Sequence, residues 1–202
     1  MLPLGRVTFP GEVVPLRIFE PRYLEMMRRI GSDGDFGTVL IDRGSEVGGG
    51  EGRTSTGTLV SVRHDVEAGP RERIILGVGV SRLRVRTWLE DDPYPRAEVE
   101  AFPDEPGTSP TTETVGELLA ALTSLYALAS ELGADTADLT LELPSDPATA
   151  LWTLCAAAPL GSLDRQRLID TDTGAERASV LATLIDDVRG DLLLRLGEGG
   201  AI

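Results

Sequence analysis

The chain has 202 residues, 41% of them hydrophobic, and a net charge of −14, and all 19 of its basic residues are arginine. A chain of that length can form one or two domains and bury roughly 70% of its unfolded surface. The missing lysine excludes a Walker-type phosphate loop, a Ser-Lys dyad and a Schiff base, and the acidic balance disfavours a phosphate backbone as partner.

In chain order, Leu2 to Tyr23 reads LPLGRVTFPGEVVPLRIFEPRY. Val7 and Phe9 alternate with polar neighbours, Pro10-Gly11 turns the chain, and Val14, Leu16 and Ile18 alternate again. Pro21 suits the first turn of a helix over 21–30, with Tyr23, Met26, Met27 and Ile30 on one face. Phe36 to Ile41 reads as a buried strand, and Gly44 to Gly52 as a flexible Gly-rich loop. Thr58, Val60 and Val62 alternate with Leu59, Ser61 and Arg63. Ile74 to Val80 is a strand interrupted by Gly77 and Gly79. Leu83, Val85 and Thr87 alternate with Arg82, Arg84 and Arg86, which predicts one buried and one guanidinium-coated face. Ala97, Val99 and Ala101 against Glu98 and Glu100 suggest a further half-exposed strand. The first part therefore reads as β-rich, a barrel with one early helix.

The composition changes near residue 103. Pro103 to Pro110 is a proline-rich acidic stretch, and residues 104–110 read as a linker. Residues 1–103 hold 14 arginines against 16 acids, a net −2, and residues 104–202 hold 5 against 17, a net −12. After the boundary, Val115 to Leu132 has helical spacing, with Gly133 as its stop. Asp146-Pro147 opens a helix through Cys155, which Pro159 and Gly161 end. Ser162 starts a short helix with Leu163, Arg167 and Leu168. Thr173 and Glu176 form a capping-box pattern ahead of a last helix from Leu181 to Leu196. Residues 111–202 thus read as a small helical bundle, and the whole as an α+β chain.

No apolar run approaches the roughly 20 residues of a membrane helix. The start lacks the basic-then-apolar pattern of a leader. The single cysteine, Cys155, fits a reducing compartment. The expectation is a cytoplasmic protein with no membrane partner.

Few residues offer chemistry. His64 is the only histidine, and its Arg63-His64-Asp65 setting reads as surface. Cys155 lies on an amphipathic helix and reads as a buried small hydrophobe. One His and one Cys make a zinc site improbable. Gly48-Gly49-Gly50-Glu51-Gly52 and Gly77-Val78-Gly79 fail the phosphate-loop and dinucleotide patterns. Glu90-Asp91-Asp92 reads as a solvated turn before Pro93. Glu20 and Arg22 flank Pro21 and read as locks on a junction. Trp88 and Tyr94 flank the acidic turn; in a chain with 4% aromatics they are candidate binding anchors, with a core role as the alternative. No catalytic residue, metal or cofactor is expected.

The motifs Phe9-Pro10-Gly11, Pro15-Leu16 and Ile18-Phe19-Glu20-Pro21-Arg22-Tyr23 resemble, in this order, the start of the Lon protease N-terminal substrate-binding domain. Phe36-Gly37, Gly57-Thr58, Arg82-Leu83-Arg84-Val85, Pro93-Tyr94 with Ala97, Gln166-Arg167-Leu168 and Glu176-Arg177 resemble its later motifs. Leu83 stands where that family has an aromatic, and Thr8 where it has an apolar residue. The resemblance implies a PUA-like β-barrel followed by a helical bundle, in a free-standing member without ATPase or peptidase domains. It implies a non-catalytic module for unfolded or degron-bearing polypeptides, working beside a separate protease. Such a module takes extended peptides by strand addition or in apolar pockets. The alternative is a module for a small molecule or one dedicated partner protein. RNA binding would follow from the fold alone, and the charge opposes it.

Overall fold

The computed structural model describes residues 1–43, 52–134 and 141–199, with side chains through residue 194. Most of the expected loop at 44–52, with the glycine run 48–50, and the side chain of Leu196 lie outside the described residues. The chain divides into two compact units, Met1–Pro103 and Asp104–Ile202.

The described residues of the first unit form one six-stranded sheet with one helix. Its elements are β1 (Leu2–Leu4), β2 (Val13–Ile18), α1 (Pro21–Ile30), β3 (Asp35–Arg43), β4 (Gly52–Gly69), β5 (Glu72–Leu89) and β6 (Arg96–Ala101). The strand order is β1-β3-β4-β5-β2, with β6 also on β5. Among the described strands, only β1 and β3 pair in parallel. The segments read separately as Ile74–Val80 and Leu83–Thr87 are one strand, β5. Its first half pairs with β2 and its second half with β6. Register shifts in the β4–β5 ladder occur near Val60, Val62 and Glu67, and such bulges bend and twist a long ribbon.

The two glycines of β5 are explained by what crosses them. Phe9-Pro10-Gly11-Glu12 makes a type II turn: Glu12 N–H donates to Phe9 C=O at 3.1 Å, and Gly11 has φ +81°. The turn is docked on β5, with Gly11 N–H donating to Gly79 C=O at 2.8 Å and Gly79 N–H to Glu12 C=O at 2.9 Å. A Cβ on Gly79 would stand 2.2 Å from the Phe9 carbonyl oxygen, and one on Gly77 would stand 2.5 Å from Val60 Cγ1. The glycines therefore occupy the inward positions. Around them pack Leu2, Ile18, Met26, Met27, Phe36, Val60 and Ile75.

One expectation for β5 is corrected. Arg82 is not on a solvated guanidinium face: it is buried, stacked on the Phe102 ring at 4.0 Å. Arg84 covers the same ring at 3.7 Å.

The second unit holds α2 (Thr112–Glu131), α3 (Pro147–Ala157), α4 (Ser162–Asp170) and α5 (Gly174–Gly199). Three of the four starts, those of α2, α3 and α5, are capped by a side chain. Thr111 Oγ1 accepts from Thr114 N–H at 3.1 Å, Asp146 Oδ2 from Thr149 N–H at 2.9 Å, and Thr173 Oγ1 from Glu176 N–H at 3.0 Å. Leu122, Leu151, Leu154, Cys155, Leu168 and Leu181 are fully buried. Among them lies Arg177, also fully buried, held bidentate by Asp104 at 2.6 and 2.8 Å and stacked on Trp152 at 3.6 Å. Residues 104–110 are thus part of this unit. Besides the Asp104 pair, Glu105 N–H donates to Asp172 C=O at 3.3 Å and Thr108 C=O accepts from Ala175 N–H at 2.8 Å.

Candidate binding surface

The end strands of the sheet path, β1 and β2, form opposite walls of a cavity of about 360 Å³. Leu2, Leu4, Val14, Leu16, Ile18, Phe19 and Tyr23 supply its apolar lining, and Arg6, Arg17 and Glu20 its charged groups. Phe19 is 52% exposed. A proline sits in each wall, Pro3 in β1 and Pro15 in β2. Proline has no N–H to give a further strand, so both edges lack a donor and strand addition there is weakened. What the walls present is apolar side-chain surface.

The charges around the cavity are neutralised in pairs. Arg6 is paired with Glu12 and Arg17 with Glu72. Glu20 and Arg22 pair at 3.1 Å, and the Arg22 guanidinium lies 4.5 Å from the centre of the Tyr23 ring. The Glu20 carbonyl accepts from the N–H groups of Tyr23 and Leu24, both at 3.0 Å, and so opens α1. Glu20 and Arg22 act as the expected junction lock, and Glu20 also borders the cavity.

The two aromatic candidates fall in different places. Trp88 is half-buried against the cluster of Val39, Leu83 and Val85, and Arg53 covers its ring at 4.8 Å. Tyr94 packs against the cluster that contains Tyr23 and Met27, with Arg29 over its ring at 5.5 Å. The acidic turn between them is partly paired, Asp91 with Arg53 at 3.1 Å and Asp92 with Arg96 at 3.9 Å.

The other chemical candidates carry no reactive geometry. Cys155 is fully buried, and burial pushes its thiol up to about 12. His64 is exposed on β4 opposite Leu76. Among the described residues, no group of three or more His, Cys, Asp or Glu side chains is placed to hold a metal ion. No helix among them is long and apolar enough to cross a membrane.

Sequence reasoning passed over the cavity because its walls come from strands separated by β5, β4 and β3 in the sheet. The available signal was the proline in each of two short apolar segments, which marks edge strands.

The profile of the ATP-dependent protease La (LON) substrate-binding domain matches residues 1–187. The chain belongs to the LON substrate-binding domain family. This LON domain is 28% identical over 144 residues to Lon protease 2 of Sorangium cellulosum (strain So ce56), a stretch that is 69% of this chain and 18% of the length of that protease. Among solved structures, it resembles the Lon N-terminal domain protein from Xanthomonas campestris, with a TM-score of 0.63, 24% identity, and coverage of 90% of this chain and 94% of that one. It also resembles the N-terminal domain of the Mycobacterium avium complex Lon protease, with a TM-score of 0.59, 16% identity, and coverage of 92% and 96%. At these identities the structural likeness speaks to the fold, a mixed α+β arrangement of a sheet and five helices. The match is to the substrate-binding domain, not to ATPase or protease domains.

Proposed function

We propose that this LON domain is a non-catalytic module that binds unfolded or degron-bearing polypeptides. In this reading residues 1–103 are a PUA-like β-barrel with one early helix, 104–110 a connecting segment anchored on the second unit through Asp104, Glu105 and Thr108, and 111–202 a helical bundle. The module works in the cytoplasm beside a separate protease. The observation that carries the reading is the cavity between β1 and β2. It is apolar, its margin charges are internally paired, and it lies in a chain of a substrate-binding family. The proline in each wall favours capture of side chains over strand addition. A volume of about 360 Å³ suits one or two large apolar side chains. The buried, unreactive Cys155 and the missing lysine support a role without chemistry.

The test is to titrate the protein into a fluorescently labelled, permanently unfolded polypeptide and follow anisotropy, with the folded parent as control. Micromolar binding to the unfolded form alone is expected, and Phe19→Ala should weaken it about tenfold, the loss of one exposed aromatic anchor. Trp88 and Tyr94 are a separate proposed contribution. The W88A/Y94A pair should weaken binding without unfolding the first unit, and unchanged affinity removes them from the surface. Failure to bind either form of the polypeptide would favour a dedicated partner or small ligand instead.

A further inference from the structure

We propose that the groove between α2 and α5 is a docking site for a cationic amphipathic helix of a partner protein. The surface lies wholly in the second unit. It goes beyond the polypeptide-binding reading, which rests on the first.

α2 and α5 run side by side in the same direction. Thr111 caps α2, and three residues before it Thr108 C=O accepts from Ala175 N–H at the head of α5, at 2.8 Å. Between the helices Leu118 and Ala178, both buried, and Ala121 and Ala182, both half-buried, form the floor of a groove of about 320 Å³. Glu117 and Asp186 stand exposed at its rim. The face continues along α5, because residues 182, 186, 190 and 193 recur at helical spacing. A Cβ on Gly190 would meet nothing within 4 Å, and Leu193 is 52% exposed. From Ala178 to Leu193 the face is about 22 Å long. Small side chains along it let a third helix approach to an axis separation of about 8 Å, the close end of helix packing.

Backbone and charge together select the occupant. The backbones of two helices are bonded internally and offer no edge to a strand, whereas the groove between them matches the ridge of a third helix. A face of about 22 Å takes about 15 helical residues. Residues 104–202 carry 5 arginines against 17 acids. Arg165 and Arg177 are buried, Arg167 pairs with Asp164 and Arg189 with Asp186. These four are committed away from Glu117. The Arg189–Asp186 pair is exposed and joins two residues of one helix, an arrangement that contributes little, so an incoming cation can share Asp186. Basic residues flanking an apolar stripe would meet Glu117 on one rim and Asp186 on the other, while the stripe fills the floor. A second copy of this chain would bring the same acid excess to the same face, and that repulsion disfavours it as the occupant.

The test uses the full chain and a fluorescein-labelled peptide of about 15 residues, stapled on its outer face to hold it helical, with Ala and Leu on the inner face and Lys on both flanks. One control has the same composition in scrambled order, and a second carries Glu in place of Lys. In about 150 mM salt, where unspecific attraction is screened, the Lys helix should bind the wild type at least about tenfold tighter than either control. Glu117→Arg and Ala182→Phe should each weaken it at least about tenfold, with unchanged circular dichroism and unchanged binding of unfolded polypeptide. In the wild type, methyl NMR should show the peptide shifting Ala121, Ala182 and Leu193, which keeps the question decidable if a variant does not fold. No binding of the Lys helix, equal binding of the scrambled peptide, equal binding by either folded variant, or shifts confined to Leu16 and Ile18 of the cavity, overturns the groove and leaves the polypeptide reading standing. Loss of unfolded-polypeptide binding by folded Glu117→Arg would mean a single shared surface and overturns the separate site. Self-association of the wild type that Ala182→Phe abolishes assigns the groove to a second copy and overturns the proposal.

Discussion

The two units place unlike residues against expectation, and in opposite senses. The second unit buries a cation: Arg177 is sealed among leucines, satisfied by Asp104, the Leu168 carbonyl at 3.3 Å and the Trp152 ring. The first exposes hydrocarbon: Val13 of β2, Val66 of β4 and Ile74 and Val80 of β5 face solvent, while Gly77 and Gly79 line the interior of β5. A buried guanidinium whose three nitrogens each donate to a fixed partner leaves little for a ligand. It holds one geometry, and its features serve the unit's own stability. An exposed apolar face does nothing for the stability of the free chain. The contrast sets a sealed charge in the acidic unit against open hydrocarbon in the nearly neutral one.

The largest expected effect breaks the first half of that contrast. Asp104→Ala strands the Arg177 charge in the interior and should cost about 3 kcal/mol. The chain has two tryptophans, Trp88 in the first unit and Trp152 in the second. Urea unfolding followed by Trp152 fluorescence in a W88F background reads the second unit directly. A change under about 0.5 kcal/mol, the scale of a surface substitution, would mean the pair is not a structural clamp.

A smaller effect tests why the interior of β5 is glycine. Gly79→Ala drives a Cβ to 2.2 Å from the Phe9 carbonyl oxygen, which is backbone and part of a bonded turn. The required shift should cost about 2 kcal/mol in the first unit, read by Trp88 fluorescence. Gly107→Ala is no control for this, since its φ of +78° is strained for any side chain; Gly116→Ala, with open space around it, is, and should be neutral or slightly stabilising. Equal losses at Gly79 and Gly116 would remove the packing account.

The smallest effect runs the other way. Thr8 is 2% exposed and its Oγ1 has no hydrogen-bond partner among the described residues. Thr8→Val keeps the branched shape and removes the unsatisfied oxygen, so the first unit should gain about 1 kcal/mol. A loss would show that the hydroxyl has a role in the core.

Much of the local structure was legible because its causes are local. Pro21 opens α1 and Asp146-Pro147 opens α3, since proline presets the backbone and a carboxylate accepts the first free amides. Gly133, at φ +78°, follows the end of α2. Phe9-Pro10-Gly11 turns the chain for reasons contained in three residues. The candidate sites were less legible. Trp88 and Tyr94, near each other in sequence, pack into separate clusters. The cavity joins strands that meet only through the curl of the sheet.

The sequence by itself determined where the capped helices start, which family the opening motif resembles, and which chemistries a chain without lysine lacks. Only the tertiary structure decided which face of β5 is inside. Alternation with period two defines two faces of β5 and is silent on which is buried. The answer came from the Phe9–Glu12 turn, whose carbonyl oxygen approaches too closely for any side chain, so glycine turned inward and the branched residues outward. Arg177 follows the same logic. Its partner lies 73 residues away at Asp104, and a charge becomes a core residue only when folding brings its counter-ion to it.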